Sequence, residues 1–336
     1  MSRAGWDARP RVPWRACLAG GVLGFLAVPA LLVTVLRLTE PGAGWAVRVV
    51  SFTPYAVPVH AVVLLLLLLG AARARRHGRG AGWRMVAAVV VVGALALHTV
   101  WIAPLYVGSA PPAAAAEGRQ VTVLAANVLQ GGADADVLVD AVRRHDVDVL
   151  VVGEITPAFL AAMDAAGLDD LLPDRAGEPD TDVSGTMVFS DAAVEVLDRP
   201  ATLFDSLVVR TDGLTVLATH PSPPVLPAQW HTDLATVLTA AKEHDVDVVA
   251  GDLNATLDHA PVRRLVVAGW RDCAELANAG LQPTWPAHGE YPPFPGPVVR
   301  IDHVLVGERW TALDASTLDV PGTDHRAVLT TIAPAA

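Results

Sequence analysis

The sequence predicts a mixed α/β domain of two packed β-sheets flanked by helices, preceded by three apolar membrane helices. Three observations carry that expectation. The first third of the 336-residue chain contains three long stretches without a charged residue. From about position 121, short β-branched runs alternate with helical segments, the pattern of layered sheets and helices. A series of polar side chains falls at the ends of the predicted strands: Asn127, Glu154, His220, Asp252 with Asn254, Asp302, and Asp324 with His325.

The uncharged stretches are Ala16 to Leu36, Val49 to Ala72, and Met85 to about Ala116, the last running out into Pro and Ala. Each reaches the roughly 20 residues that a helix needs to cross the hydrocarbon core. Val62 to Leu69 is almost pure leucine, and buried core helices rarely run so long without a polar face. Pro29, Pro54, Pro58 and Pro104 interrupt the stretches, which membrane helices tolerate better than soluble ones. A cleaved signal peptide would account for the first stretch alone. The two that follow favour an uncleaved anchor, with spans at 16–36, 49–72 and 85–107.

Orientation follows from the arginines. Arg3, Arg9, Arg11 and Arg15 precede the first span, and Arg73, Arg75, Arg76, Arg79 and Arg84 lie between the second and third. The loop between the first two spans carries only Arg37 and Arg48, opposed by Glu40. Positive loops stay inside, so the N-terminus and second loop are expected in the cytoplasm. Everything after Val107 is then expected outside it, on a multi-pass protein of the cell membrane.

Eleven of the 24 basic residues and two of the 35 acidic ones precede position 108, which leaves the remainder formally near −20. Such a balance repels polyanions unless a local basic groove is built. The only basic pairs there are Arg143-Arg144 and Arg263-Arg264, with one lysine, Lys242, so duplex DNA is disfavoured as substrate. Cys17 lies in the first span and Cys273 in the outer part, which excludes a disulfide framework and a thiolate zinc site.

Residues 108–120, with Gly108-Ser109-Ala110-Pro111-Pro112 followed by alanines, read as a tether. The domain is expected over 121–336. Val121 to Ala126 is a predicted strand, Ala135 to His145 an amphipathic helix, and Val147 to Val152 a strand. Thr186 to Phe189, Val194 to Leu197, Leu207 to Val209 and Leu214 to Thr219 follow as short strands with turn residues between, which predicts an antiparallel meander. Pro227 to His244 is helical, Val246 to Ala250 is a buried strand, and Arg300 to Val306 and Ala327 to Thr331 complete the sheets.

The strand ends carry the chemistry. Asn127 and Glu154 each terminate an apolar run, and an amide oxygen with a carboxylate suits a hard cation such as Mg2+ or Mn2+. A strand-terminal Glu alone identifies nothing. In Gly251-Asp252-Leu253-Asn254 the glycine permits close backbone approach. On an extended chain Asp252 and Asn254 point to the same side, while a turn after the strand is the structural alternative. His220 ends a strand before Pro221-Ser222-Pro223-Pro224, as a structural imidazole or a phosphate contact. Asp302 is paired with His325, because neighbours on a strand face opposite ways and an Asp that orients a histidine suits acid–base work. His303 is then a filler or rim residue.

Together these segments resemble the endonuclease/exonuclease/phosphatase (DNase I-like) superfamily, as a membrane-anchored, bacterial-type member. The resemblance covers Val121 to Ile332, and Gly251-Asp252-Leu253-Asn254, Arg300-Ile301-Asp302-His303 and Thr323-Asp324-His325-Arg326 are its specific motifs. It implies a four-layered α/β sandwich. It also implies Glu154 as the principal Mg2+ ligand with Asn127 and Asp324, His220 and Asn254 on the phosphate, and Asp252 orienting or deprotonating the attacking water. His325, backed by Asp302, would stabilise the transition state or act as acid–base.

Some positions depart from the family. Gly153 stands where a glutamine usually precedes the glutamate. Of three tyrosines, Tyr55 and Tyr106 lie in the membrane part, and Tyr291 is no counterpart of the active-site tyrosine of abasic-site repair members. The basic, DNA-contacting loops of nucleases are not recognisable. Trp230, Trp285 and Phe294 supply an aromatic rim that stacks on a base, touches lipid or covers the core. The expected function is a metal-dependent phosphoesterase acting on a phosphodiester or phosphomonoester of a nucleotide, nucleic acid, phospholipid or sugar phosphate. The lipid bilayer is its other partner. A catalytically silent binding ectodomain of the same fold is the alternative.

Overall fold

The computed structural model describes residues 14–108, 117–288 and 294–335. Arg3, Arg9, Arg11, most of the tether and Tyr291 lie outside them. The chain divides into two units, Met1–Leu38 with Thr53–Val100, and Thr39–Phe52 with Trp101–Ala336.

The first unit is built on three long helices, α1 (Trp14–Thr39), α3 (Ala56–Arg76) and α4 (Gly82–Ile102). Gly20–Thr39, Thr53–Arg76 and Gly82–Leu105 are long and apolar enough to cross a membrane. The second stretch begins at Thr53 rather than Val49, because Val49 and Val50 complete a short helix, α2 (Gly44–Val50), that belongs to the other unit. Within the first unit Thr34 Oγ1 lies 2.8 Å from His98 Nε2, the kind of polar link that joins apolar helices.

The second unit is a sandwich of two six-stranded sheets. One contains β1 (Val121–Asn127), β2 (Val149–Gly153), β3 (Asp174–Glu178) and β4 (Thr186–Ser190), with β11 (Trp310–Asp319) and β12 (Arg326–Pro334), in the order β11-β12-β1-β2-β4-β3. The other contains β5 (Val194–Asp198), β6 (Ser206–Thr211), β7 (Leu214–Thr219), β8 (Val248–Asp252), β9 (Arg271–Asp272) and β10 (Asp302–Val306), in the order β5-β6-β7-β8-β10-β9. The expected four-strand meander is therefore divided. Thr186–Ser190 pairs with β2 in the first sheet, and only β5, β6 and β7 run on as antiparallel neighbours. Local alternation cannot tell which sheet a short strand joins.

Side chains alternate across a strand, and here both faces are apolar. Val123, Ala125, Val149, Val151, Val209, Val216, Ala218, Val248, Ala250 and Val304 fill the layer between the sheets. The residues between them, such as Leu124, Leu150 and Val152, pack outward on α5 (Ala135–Arg144) and α6 (Pro157–Ala165). On the other side Val208, Leu217, Val249 and Leu305 meet α7 (Pro227–Glu243) and α8 (Ala260–Val267). These are the four layers that the family resemblance implies. Each fully buried Val or Leu contributes about 1.5–3 kcal/mol relative to exposure, so this interior outweighs the exposed ion pairs, worth about 0–1 kcal/mol each.

Two crossovers orient the sandwich. Helix α5 joins the parallel pair β1 and β2, and α7 joins the parallel pair β7 and β8. Asp134 caps α5 by accepting from Val137 N at 3.1 Å, and Thr156 caps α6 through Phe159 N at 3.3 Å, as short polar N-caps do. The ends of β1, β2, β7 and β8 thus gather at one edge. Strand β10 runs antiparallel to β8 with Asp302 opposite Asp252, and β12, antiparallel to β1, starts just after His325.

Gly251 makes the approach of β7 and β8 possible. Its φ is +134°, and a Cβ there would stand 2.2 Å from Thr219 O. Gly251→Ala is expected to destabilise the protein by more than about 1 kcal/mol, read as a lower melting temperature of the full-length protein in detergent. An unchanged melt would mean that β7 and β8 separate without cost.

Candidate active site

Asn127, Glu154, His220, Asp252, Asp302, Asp324 and His325 are all buried and converge at that edge. Asn127 ends β1 and gives its Nδ2 to Glu154 Oε1 at 3.0 Å and to Asp252 Oδ2 at 3.2 Å. Its Oδ1 accepts from Leu129 N at 3.0 Å, so the amide ties two carboxylates together across the sheets. Glu154 Oε2 accepts from Gln130 N at 3.1 Å. The backbone around this contact is left-handed at Leu129, Gln130 and Glu154, with φ of +47°, +51° and +57°, a costly conformation that clusters at functional sites.

Asp252 Oδ2 is the focus of the cluster. Besides Asn127, His220 Nε2 lies 3.6 Å from it and His325 Nε2 3.7 Å. Its other oxygen accepts from Asn254 N at 2.7 Å. Asn254 does not continue an extended chain: β8 ends at Asp252, and Asn254 has φ of +48°. The same-side expectation therefore gives way to a turn closed by Asp252 itself. Asn254 Nδ2 reaches Pro221 O at 3.0 Å, which ties the loop after β8 to the loop after His220. His325 Nδ1 lies 2.8 Å from Asp302 Oδ2, and His325 Nε2 stands 3.7 Å from Asp324 Oδ1. His303 faces the opposite way, with Nδ1 2.6 Å from Asp272 Oδ2 and Nε2 2.9 Å from Ala255 O.

Burial and mutual charge set the proton inventory. Burial, then the Asp302 charge, pushes Asp252 up to about 8. Burial also raises Glu154. His325 rises to about 10: burial opposes its cation, but the Asp302 and Asp252 carboxylates outweigh it. Asp302 is lowered, because the His325 charge and hydrogen bond overcome its burial. His325 and Asp302 therefore form an ion pair at neutral pH. His220 falls to about 4 through burial and the nearby His325 charge, so it stays neutral.

This donor set fits a divalent cation. Four buried carboxylates share one edge, and the main charges acting on Glu154, Asp252 and Asp302 come from one another, Asp324 and histidines. Asp324 Oδ1 is buried without a hydrogen-bond partner, and such orphans call for an ion or water. Donor atoms of Asp252, Asp302 and His325 also lie within 4.8 Å of one another. Gly153 leaves open space beside Glu154, since a Cβ there would meet nothing within 4 Å.

Several further groups position the site, and none of them is assigned that role from the sequence. Trp285 Nε1 donates to Asp324 Oδ2 at 2.9 Å, which gives one rim aromatic a direct role. Thr284 Oγ1 accepts from Asp302 N at 3.3 Å. Thr323 Oγ1 donates to Asn127 O at 2.8 Å and accepts from His325 N at 3.2 Å. Asp233, in the middle of α7, accepts from Ser222 N at 2.9 Å and fixes the loop after His220. Single threonines and one helical aspartate are indistinguishable from ordinary residues in a sequence. Trp230, by contrast, is a core residue.

A family model described as the Endonuclease/Exonuclease/phosphatase family matches residues 124–325. Among solved structures, D. rerio TDP2 complexed with a single-strand DNA product superposes with a TM-score of 0.50 at 18% identity, over 63% of this chain and 98% of that one. TDP2 from C. elegans gives 0.50 at 17%, over 64% and 75%. The endonuclease/exonuclease/phosphatase from Beutenbergia cavernae DSM 12333 gives 0.48 at 20%, over 65% and 72%. No curated protein matches the sequence. At these identities the likeness to the two TDP2 structures speaks to the fold alone, and the family match speaks to descent, enclosing every polar strand end from Asn127 to His325. The chain belongs to the Endonuclease/Exonuclease/phosphatase family.

Proposed function

We propose that this chain is a membrane-anchored, Mg2+-dependent phosphoesterase whose catalytic domain lies outside the cytoplasm. The observation that carries the reading is the buried carboxylate and histidine cluster with its unpartnered Asp324 Oδ1. Glu154 and Asp324 would hold the cation, Mg2+ or Mn2+, with Asn127 fixing Glu154. When bound, the ion supplies positive charge that polarises the phosphoryl oxygen and offsets charge developing in the transition state.

The remaining work falls to this chain's own groups. Asp252 Oδ2, bonded to Asn127 Nδ2 and facing His220 Nε2 and His325 Nε2, would orient a water and, once its own proton is lost, take the proton of that water. Asp302 holds His325 as a cation with Nε2–H turned into the site, ready to donate to a phosphate oxygen. Neutral His220 and the second N–H of Asn254 Nδ2 are available to the phosphate. The acidic domain favours small or lipid phosphate esters over long duplex DNA.

The test is a screen of full-length protein in detergent with Mg2+ against nitrophenyl phosphate mono- and diesters, oligonucleotides, inositol phosphates and phospholipids. Asp252→Ala and Glu154→Gln are expected to lower turnover on the order of 100- to 1,000-fold. Wild-type turnover in Asp252→Ala would remove this site from the chemistry. The side of the membrane is tested by a reporter fused after Ala336, expected to report from outside the cytoplasm. A cytoplasmic signal would reverse the orientation.

A further inference from the structure

The segment Thr39–Phe52 lies between the first two apolar helices, yet it is built into the second unit. Ala46, Val47 and Val50 are buried. Val47 joins the cluster of Trp230, Leu253, Ala255 and Val262. Gly44 sits so close to the loop after His220 that a Cβ there would meet Pro224 O at 2.6 Å. Glu40 pairs with Arg263 on α8, and Phe52 stacks on Phe294 with ring centres 6.1 Å apart.

Besides the Glu40–Arg263 pair, whose guanidinium also donates to Asp258 O, a direct polar contact joins this segment to the loop after Asn254. His259 is buried, and its Nε2 lies 2.9 Å from Val47 O. A carbonyl only accepts, so Nε2 carries the proton, which leaves Nδ1 to accept from Thr256 N at 2.8 Å. Burial, against the bonds to Val47 and Thr256, lowers His259 to about 4, in keeping with that neutral tautomer. Both ring nitrogens are used, one on Val47 of α2 and one on the turn that follows Asn254. The His259 ring also meets Trp230 edge-on, with centres 5.3 Å apart, and Trp230 Nε1 donates to Asn254 O at 3.0 Å.

We propose that His259 is a positioning residue through which Thr39–Phe52 holds loop 253–259, and with it Asn254, in its left-handed working conformation. The segment between the membrane helices is then part of the active site's support. The proposal rests on the phosphoesterase reading for its effect on rate, but its structural half stands apart from it. A positive-φ asparagine held by several weak bonds shifts readily when one support is withdrawn, and small displacements of an oriented group are costly to catalysis.

The experiment uses full-length protein in detergent micelles. His259→Phe keeps a ring but loses both hydrogen bonds. Gly44→Val pushes α2 from the Pro224 carbonyl without touching loop 253–259. Val267→Ala, on the exposed face of α8, is the control. Both test variants are expected to lower kcat/KM of the folded enzyme on the order of 10- to 100-fold, to leave the Mn2+ midpoint unchanged, and to speed amide exchange in residues 253–259. His259→Gln, which retains a donor toward Val47 O, should recover part of the loss. A purely structural role would lower the melting temperature and the folded fraction while kcat/KM per folded molecule stayed wild-type, and that result overturns the proposal. If the wild type hydrolyses no phosphoester, the catalytic reading fails. Unchanged exchange of loop 253–259 in Gly44→Val would separately sink the positioning role.

Discussion

Asp252 and Asp302 stand opposite one another on β8 and β10, and both are buried. Like charges directly across a sheet repel, and in a buried site they cannot both ionise without compensation. The rest of the site follows from this constraint. His325 supplies the compensation as the cation paired to Asp302. Asp252 is left with its proton held up to about 8, and Glu154 and Asp324 bring further negative charge. The arrangement is favourable only with a cation or a proton in residence.

The sandwich exists to make that convergence rigid. Parallel pairs β1–β2 and β7–β8 deliver four strand ends to one edge, and the antiparallel β10 and β12 deliver their starts there. Asn127 Nδ2, bonded to Glu154 of its own sheet and Asp252 of the other, stitches the two halves. Because the inter-sheet layer is close-packed, the carboxylates cannot drift apart to relieve their repulsion.

Much of this was legible in the chain. Asn127, Glu154, His220, Asp252, Asp302, Asp324 and His325 all end or begin apolar β-branched runs, and that pattern is visible without coordinates. The assignment of Thr186–Ser190 to the first sheet was not, since strand pairing depends on partners far along the chain. The mixed-polarity β11 also escaped: it alternates Trp310, Ala312 and Ala315 with Thr311, Asp314 and Ser316 across a register shift. Asn254 was placed on an extended chain, but its local hydrogen bond to Asp252 wins over strand continuation. Thr284 and Asp233 had no signal, because their roles arise from contacts with backbone outside their own elements, and Thr323 was seen only as the first residue of a motif, without its bond to Asn127 O. Residues up to 48 looked like a loop between spans and 49–52 like the start of the second span, although Val47 and His259 meet across more than 200 positions of sequence.

The most direct test of the central claim is a calorimetric titration of Mn2+ into the metal-free full-length protein across pH 6 to 9. In the proposed site, Glu154 would bind the cation as an anion, and loss of the proton from neighbouring Asp252 would remove a competitor for the same space and charge. Their upward shifts therefore predict affinity that rises with pH toward about 8 as Asp252 loses its proton, with one ion per chain, proton release on binding, and loss of the site in Asp324→Asn. Absence of binding, or binding that neither pH nor Asp324→Asn alters, would contradict the account.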